Sequence, residues 1–238
     1  MTATVAGVDG CKAGWFAVLW DTDAETFTYQ VTPSFAEVLT FVKAARIIAV
    51  DIPIGLLDHA LPGGRLCDVY ARRLLHPNRM SSVFSPPVRD TLESASYPEA
   101  LAINRLSSHH SLGLSKQCFG ILPKIREVDR LMTPELQESV REVHPELSFL
   151  ALNHGGALSH SKRTQEGRSE RLELLVRHGF APFIAQAFGA RLQGAEPDDA
   201  LDACAACWSA RRIAEGRSTP IPQEPHRDAR GLRMAIWY

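Results

Sequence analysis

Two aspartates each close a short apolar run: Asp9 in Thr4-Val5-Ala6-Gly7-Val8-Asp9-Gly10, and Asp51 in Ile47-Ile48-Ala49-Val50-Asp51-Ile52-Pro53. A carboxylate at the tip of a buried strand is costly to desolvate unless a metal ion or another cation compensates it. Two such strands side by side bring both acids to one sheet edge. A third acidic group, Asp198-Asp199-Ala200-Leu201-Asp202, opens a late helical segment that can cover that edge. Acids gathered in this way bind divalent metal and serve phosphoryl chemistry. Hydrolysis of a phosphodiester needs a nucleophilic water, charge relief on the phosphoryl oxygens and a stabilised leaving oxygen, and two divalent ions about 4 Å apart supply all three. Carboxylates offer the hard oxygen ligands that Mg2+ or Mn2+ takes.

The elements that must position these acids can be followed along the chain. Thr4–Asp9 and Trp15–Trp20 read as strands of a hairpin turned at Gly10-Cys11-Lys12-Ala13-Gly14. Phe27–Val31 is a third strand after the turn residues Asp21-Thr22-Asp23. Pro33–Ala45 has helical spacing, with Phe35, Val38, Leu39 and Val42 on one face, and Ser34 with Glu37 matches a capping box. Arg46–Asp51 is the next strand. A crossover needs only a dozen or so residues, so the long stretch from 54 to about 138 reads as an inserted, largely helical lobe within a single domain 1–238. Its helices fall near Arg65–Leu75, Pro98–Ser107 and Gln117–Met132, with a loop at Pro77–Pro87 and a Gly/Ser-rich link at Ser111–Ser115. The core resumes with strand Val140–His144 and helix Pro145–Leu152. Residues 167–178 form an amphipathic helix with Leu172, Leu175 and Val176 inward, and a short helix follows at Pro182–Phe188. Glu196–Glu215 is the strongest helix. Leu201, Ala205, Trp208 and Ile213 mark its apolar face, acids begin it, and Arg211 and Arg212 lie near its end, as the helix dipole favours. Leu232–Trp237 reads as a last short strand.

Composition narrows the class. With 238 residues, 45% of them hydrophobic and 22% charged, the chain has the make-up of a soluble globular protein. No apolar run approaches the roughly 20 residues needed to span a bilayer, and the N-terminus lacks the apolar core of a signal peptide. Five cysteines without framework spacing point to a reducing interior, hence the cytoplasm, with no membrane partner. A net charge of −1 excludes a globally basic nucleic-acid binder. The charge is uneven, however: residues 1–64 are acid-rich, whereas 65–89 carry Arg65, Arg72, Arg73, Arg79 and Arg89 against Asp68 alone. An acidic half beside a basic segment suits a polyanionic substrate, nucleic acid or nucleotide, held by arginine and cleaved at a metal.

The string Gly7-Val8-Asp9-Gly10-Cys11-Lys12-Ala13-Gly14-Trp15 resembles the opening of a prokaryotic family known as domain of unknown function 429. Further matches follow in order: Asp51-Ile52-Pro53-Ile54-Gly55-Leu56, Arg79-Met80-Ser81-Ser82-Val83-Phe84, Gly113-Leu114-Ser115-Lys116-Gln117, Pro123-Lys124-Ile125-Arg126-Glu127-Val128-Asp129, Glu142-Val143-His144-Pro145-Glu146 and Asp198-Asp199-Ala200-Leu201-Asp202-Ala203. The resemblance implies an α/β ribonuclease H-like fold, a mixed five-stranded sheet of order 3-2-1-4-5 flanked by helices. It also implies metal-binding acids on the first strand, the adjacent fourth strand and the final core helix, the places of Asp9, Asp51 and the Asp199/Asp202 pair. Glu37 is the only acid on the first helix and is assigned to capping.

Within that frame Asp9 bridges the ions, Asp51 holds one of them, and Asp199 with Asp202 holds the other. The latter two share a helix face at i and i+3, whereas Asp198 points about 100° away from Asp199 and is assigned to the helix N-terminus. Glu142 is a candidate catalytic acid on the fifth strand, and His144 on the same face could take a proton or orient phosphate. Lys12, Arg79, Lys116, Lys124 and Arg126 are candidate phosphate contacts, as are Arg65 and Arg72. Local pairs of Arg72 with Asp68 and of Arg126 with Asp129 are the competing assignments. Cys204 and Cys207 read as helix packing, because no second pair completes a zinc site. The expected activity is a metal-dependent, nuclease-like phosphodiester hydrolase. The alternatives are a phosphotransferase of the actin and sugar-kinase type, which lacks its second Asp-Gly hairpin here, and a non-catalytic binder of nucleic acid or nucleotide.

Overall fold

In the computed structural model of the protein, which describes residues 4–189, 192 and 194–238, strands β1 (Thr4–Cys11), β2 (Gly14–Asp21) and β3 (Thr26–Thr32) form an antiparallel meander. Helix α1 (Phe35–Phe41) crosses over, and β4 (Ile47–Val50) returns parallel to β1, followed in the sheet by parallel β5 (Val140–Glu142). The order β3-β2-β1-β4-β5 is the mixed five-stranded α/β arrangement that the motifs implied. Ser34 caps α1 by accepting the Glu37 N–H, and the Ser34 hydroxyl donates to the Glu37 carboxylate at 2.9 Å, so Glu37 is occupied at the cap.

The pleat sorts the residues. Val5, Ile47, Ala49, Phe16, Val18, Trp20 and Phe27 share one apolar layer with helix α9 (Pro197–Ala214). On the other face Trp15 meets Phe35 of α1 at 5.1 Å between ring centres. α9 is buried all round from Ala200 to Cys207, more than the single stripe expected, because β1 and β4 lie on one side of it and helices α6 (Pro145–Leu152) and α7 (Gln165–Leu175) on the other. Small side chains permit this approach. A Cβ on Gly7 would stand 2.0 Å from the Ala203 carbonyl oxygen and 2.2 Å from the Cys207 nitrogen. Cys204 and Cys207 are fully buried in that contact, and burial raises both thiols.

Contacts divide the chain into two units. The first holds residues 1–51, 139–219 and 237–238, and the second 52–138 and 220–236. The second unit contains α2 (Leu66–Leu74), α3 (Tyr97–Leu106), α4 (Lys116–Gly120) and α5 (Leu122–Leu131). Its buried charges are paired: Arg65 with Asp68 at 2.7 Å, and Asp129 with the half-buried Arg89 and the exposed Arg230 at 3.1 and 2.9 Å, Arg89 also pairing with Asp228. The helix expected over Gln117–Met132 is two helices. Pro123 lacks an amide donor and crowds the preceding turn, so Ile121 ends one and starts the next.

Other boundaries differ for comparable reasons. The strand expected to reach His144 stops at Glu142, and His144 becomes the N-cap residue of α6 ahead of Pro145. In the helix expected over 167–178, Leu174 and Leu175 face the core while Val176 is exposed. There the chain loosens into a π-turn, Val176–Phe180, before α8 (Ala181–Gly189), with Gly179 in the left-handed region at φ 99°. Only Ile236–Trp237 of the expected last strand is extended in a ladder. Among the described residues no helix is long and apolar enough to cross a membrane.

Candidate functional site

β1 and β4 run parallel with Val8 opposite Val50, and the Asp51 N–H donates to the Val8 carbonyl at 3.0 Å. Asp9 and Asp51 therefore follow their strands out at neighbouring positions, on the face that α9 covers. Asp202, in the first turns of α9, is brought against that edge because Gly7 and Ala203 let helix and strand touch. Asp9 and Asp202 are both buried, and Asp51 is half-buried. Burial, then the Asp51, Asp202 and Asp199 charges, hold the Asp9 carboxyl well above the usual carboxylate range. Burial likewise pushes Asp51 up to about 6, with the His144 charge opposing and Asp202 and Glu146 adding to the rise. The three acids repel one another in a place water reaches poorly.

A cation within reach is Lys162. Its Nζ lies 2.7 Å from Asp202 Oδ2, with the lysine side chain 45% exposed and that of the aspartate 5%. Burial works against the ammonium, yet Asp202, with Asp51 and Asp9 behind it, outweighs this and raises it. Glu146, in the first turn of α6, is answered by Arg171 at 2.7 Å, whose guanidinium is buried and stacks over Phe149. Sequence reasoning did not single out Lys162 or Arg171. Neither belongs to one of the quoted motifs, and the segment carrying Lys162 has no periodicity to place it.

The remaining expected residues fall as follows. Asp199 accepts the Glu196 N–H at 2.8 Å and closes a capping box with Glu196, so Asp199 and Glu196, not Asp198, provide the cap. Asp199 stays close enough to Asp9 and Asp202 to feel their charge, and burial with Asp202 raises its pKa. Glu142 pairs with Val50, so by the alternation of the pleat it stands on the sheet face opposite Asp9 and Asp51. His144 sits beside Asp51, and its charge favours the ionised carboxylate. Lys12 is exposed in the β1–β2 turn. Arg79, Lys116, Lys124 and Arg126 lie in the second unit. There Arg126 donates to the Leu92 carbonyl rather than pairing with Asp129, and Arg72 donates to the Val83 and Gly63 carbonyls rather than pairing with Asp68. Arg65, spent on Asp68 and the Ile54 and Gly55 carbonyls, is an internal strut.

Among the described residues no group of three or more His, Cys, Asp or Glu side chains is placed to hold a metal ion. The donor chemistry nevertheless fits one hydrated Mg2+ or Mn2+, because magnesium commonly keeps several waters and takes only one or two carboxylates plus substrate phosphate. Asp9 and Asp51 supply that number, in surroundings where burial and the neighbouring acids outweigh the positive charge nearby.

The crowding has a measurable consequence. A carboxyl whose pKa is higher folded than unfolded contributes stability that is complete below the unfolded value, near 4, and is lost as pH rises through the folded one. In EDTA, stability is expected to fall by about 2–3 kcal/mol between pH 4 and pH 7 on account of Asp51. Urea unfolding across that window, with Asp51→Asn alongside, checks this. A variant as steeply pH-dependent as the wild type would show that Asp51 is not the source.

Comparison with protein families matches residues 7–227 to the family described as protein of unknown function (DUF429). Comparison with curated proteins and with solved structures gives no match.

Proposed function

The chain belongs to the DUF429 family, and from its carboxylate site we propose that it is a metal-dependent, nuclease-like phosphodiester hydrolase of nucleic acid. One observation carries this reading: Asp9, Asp51 and Asp202 lie near enough at one sheet edge to raise the Asp9 carboxyl together, with Lys162 on Asp202. Mutual repulsion of buried acids destabilises a fold, and a divalent ion relieves it. The topology of the sheet and the position of the acids on its first and fourth strands and last helix support a ribonuclease H-like assignment.

Asp9 and Asp51 would hold the ion, Mg2+ or Mn2+. When bound, it would polarise the phosphoryl oxygens and lower the pKa of a ligated water. The Gly10 N–H, donating to Asp9 Oδ1 at 2.8 Å, fixes the rotation of that carboxylate. Lys162 holds Asp202 and adds positive charge where negative charge builds on the phosphoryl group. His144, whose charge is felt at Asp51, is proposed to accept a proton from the attacking water. In the hydrolysis the water oxygen forms a bond to phosphorus, the bond to the leaving oxygen breaks, and that oxygen takes a proton from solvent. Lys12, exposed in the β1–β2 turn of the same unit, is a proposed phosphate contact, and Asp199 is proposed to support Asp202. Glu142, on the far face, is left out of the reacting centre.

The test is a Mn2+-supported cleavage panel over single-stranded, duplex, RNA–DNA hybrid and branched substrates, with EDTA and Asp9→Asn controls. Cleavage of at least one substrate that both controls abolish is the expected result. No cleavage of any substrate by folded, Mn2+-loaded protein would overturn the reading.

A further inference from the structure

The loop that carries Lys162 is fastened down, and this bears on how many ions the site holds. Glu170 of α7 accepts the Ser159 and His160 N–H groups at 2.8 and 3.0 Å. Arg171 donates to the His160 carbonyl at 3.4 Å, and the Ser161 carbonyl accepts from the Thr164 amide and hydroxyl at 3.0 and 3.1 Å. Thr164 in turn caps α7 through the Gly167 N–H, and Gly167 has no Cβ because one would stand 1.9 Å from the Ser161 carbonyl oxygen. Residues on both sides of Lys162 are thus bound to a helix packed on α9. Its ammonium reaches Asp202 from a rigid base rather than from a free loop.

A cation so positioned takes up one carboxylate. With Asp202 engaged by Lys162 at 2.7 Å, Asp9 and Asp51 are the carboxylates left to an ion, within the one or two that magnesium commonly takes. A second divalent ion would have to compete with Lys162 for Asp202.

Resting on the proposed hydrolase reading, we propose that Lys162 occupies the position of the second cation, so that the site binds one divalent ion, held by Asp9 and Asp51, instead of the two that its carboxylates suggest. Asp202 is then a lysine-bound positioning residue and not a metal ligand. The site becomes mononuclear through its own side chain.

The experiment is a Mn2+ titration of EDTA-treated, substrate-free full-length protein, with bound ion counted by the loss of the free-ion electron paramagnetic resonance signal and by calorimetry. Wild type is expected to bind one Mn2+ per chain. Lys162→Gln is expected to bind two, with the spin-coupled spectrum of a dinuclear pair, and Lys162→Arg one. Asp202→Asn is expected to keep the single site within a few-fold in affinity, whereas Asp51→Asn weakens it at least about 100-fold. Two ions in the wild type, one in folded Lys162→Gln, or loss of binding in Asp202→Asn as severe as in Asp51→Asn would each overturn the inference while leaving a metal-dependent hydrolase standing. No bound Mn2+ in the wild type would remove both. Should Lys162→Gln fail to fold, the wild-type count and the Asp202→Asn affinity still decide.

Discussion

Replacing Asp9 by asparagine is expected to raise the melting temperature of the metal-free protein and to abolish the further rise that Mg2+ or Mn2+ gives the wild type. Asparagine keeps the size of the side chain and the oxygen that accepts the Gly10 N–H, so the strand tip retains its hydrogen bond. It removes a buried negative charge pressed by Asp51, Asp202 and Asp199. Burying such a group without a compensating partner costs about 1–3 kcal/mol, so relief at pH 7.5 should amount to a gain of roughly 2–10 °C for a chain of this length. Cleavage should meanwhile fall by more than about 100-fold, since loss of even an outer partner of a metal site costs up to that much. Opposite signs on stability and activity separate a functional carboxylate from a structural one. Thermal melts in EDTA and in Mg2+, run beside the cleavage assay, decide it. A lower metal-free melting temperature with the ion response intact would remove Asp9 from the site.

Gly7→Ala tests the contact that brings the acids together. The added methyl group would lie 2.0 Å from the Ala203 carbonyl oxygen, 2.2 Å from the Cys207 nitrogen and 2.6 Å from the Cys207 Cα, all of them backbone. No side chain can turn away to make room, so α9 must move off β1. Overpacking of a core typically costs 1–3 kcal/mol and occasionally more, and this case belongs at the upper end, about 3 kcal/mol or above. The melting temperature should drop on the order of 10 °C. Because Gly7 lies on the same strand as Asp9, Mn2+ affinity should fall as well, even in protein that remains folded at low temperature. A change in unfolding free energy below about 0.5 kcal/mol would mean that the helix and strand are not in contact as described.

Much of this was legible along the chain because local physics governs it. Alternating apolar residues and the Gly10–Gly14 turn specify the opening hairpin, and the run Ile47–Val50 marks a strand buried on both faces. Ser34 with Glu37 marks the start of α1. Where the reading slipped, a neighbour in space overrode the local pattern. Val176 has helical spacing with Leu172, but the π-turn before Gly179 rotates it into solvent. Asp198 looks as good a cap as Asp199, and only the turn geometry at Glu196 decides between them.

By itself, then, the order of residues determined the opening hairpin, the third strand, the crossover helix and which acids end which strands, since hydrophobic period and turn chemistry act over a few neighbours, whereas the full order β3-β2-β1-β4-β5 was what the family resemblance implied. The tertiary structure alone decided which charges meet. Lys162 lies 40 positions from Asp202 and has no local feature to mark it, but α7 anchors its loop and the depth of the Gly7–Ala203 contact sets where Asp202 arrives. Coulomb energy depends on distance through space and on burial, neither of which is written in the spacing of residues along a chain.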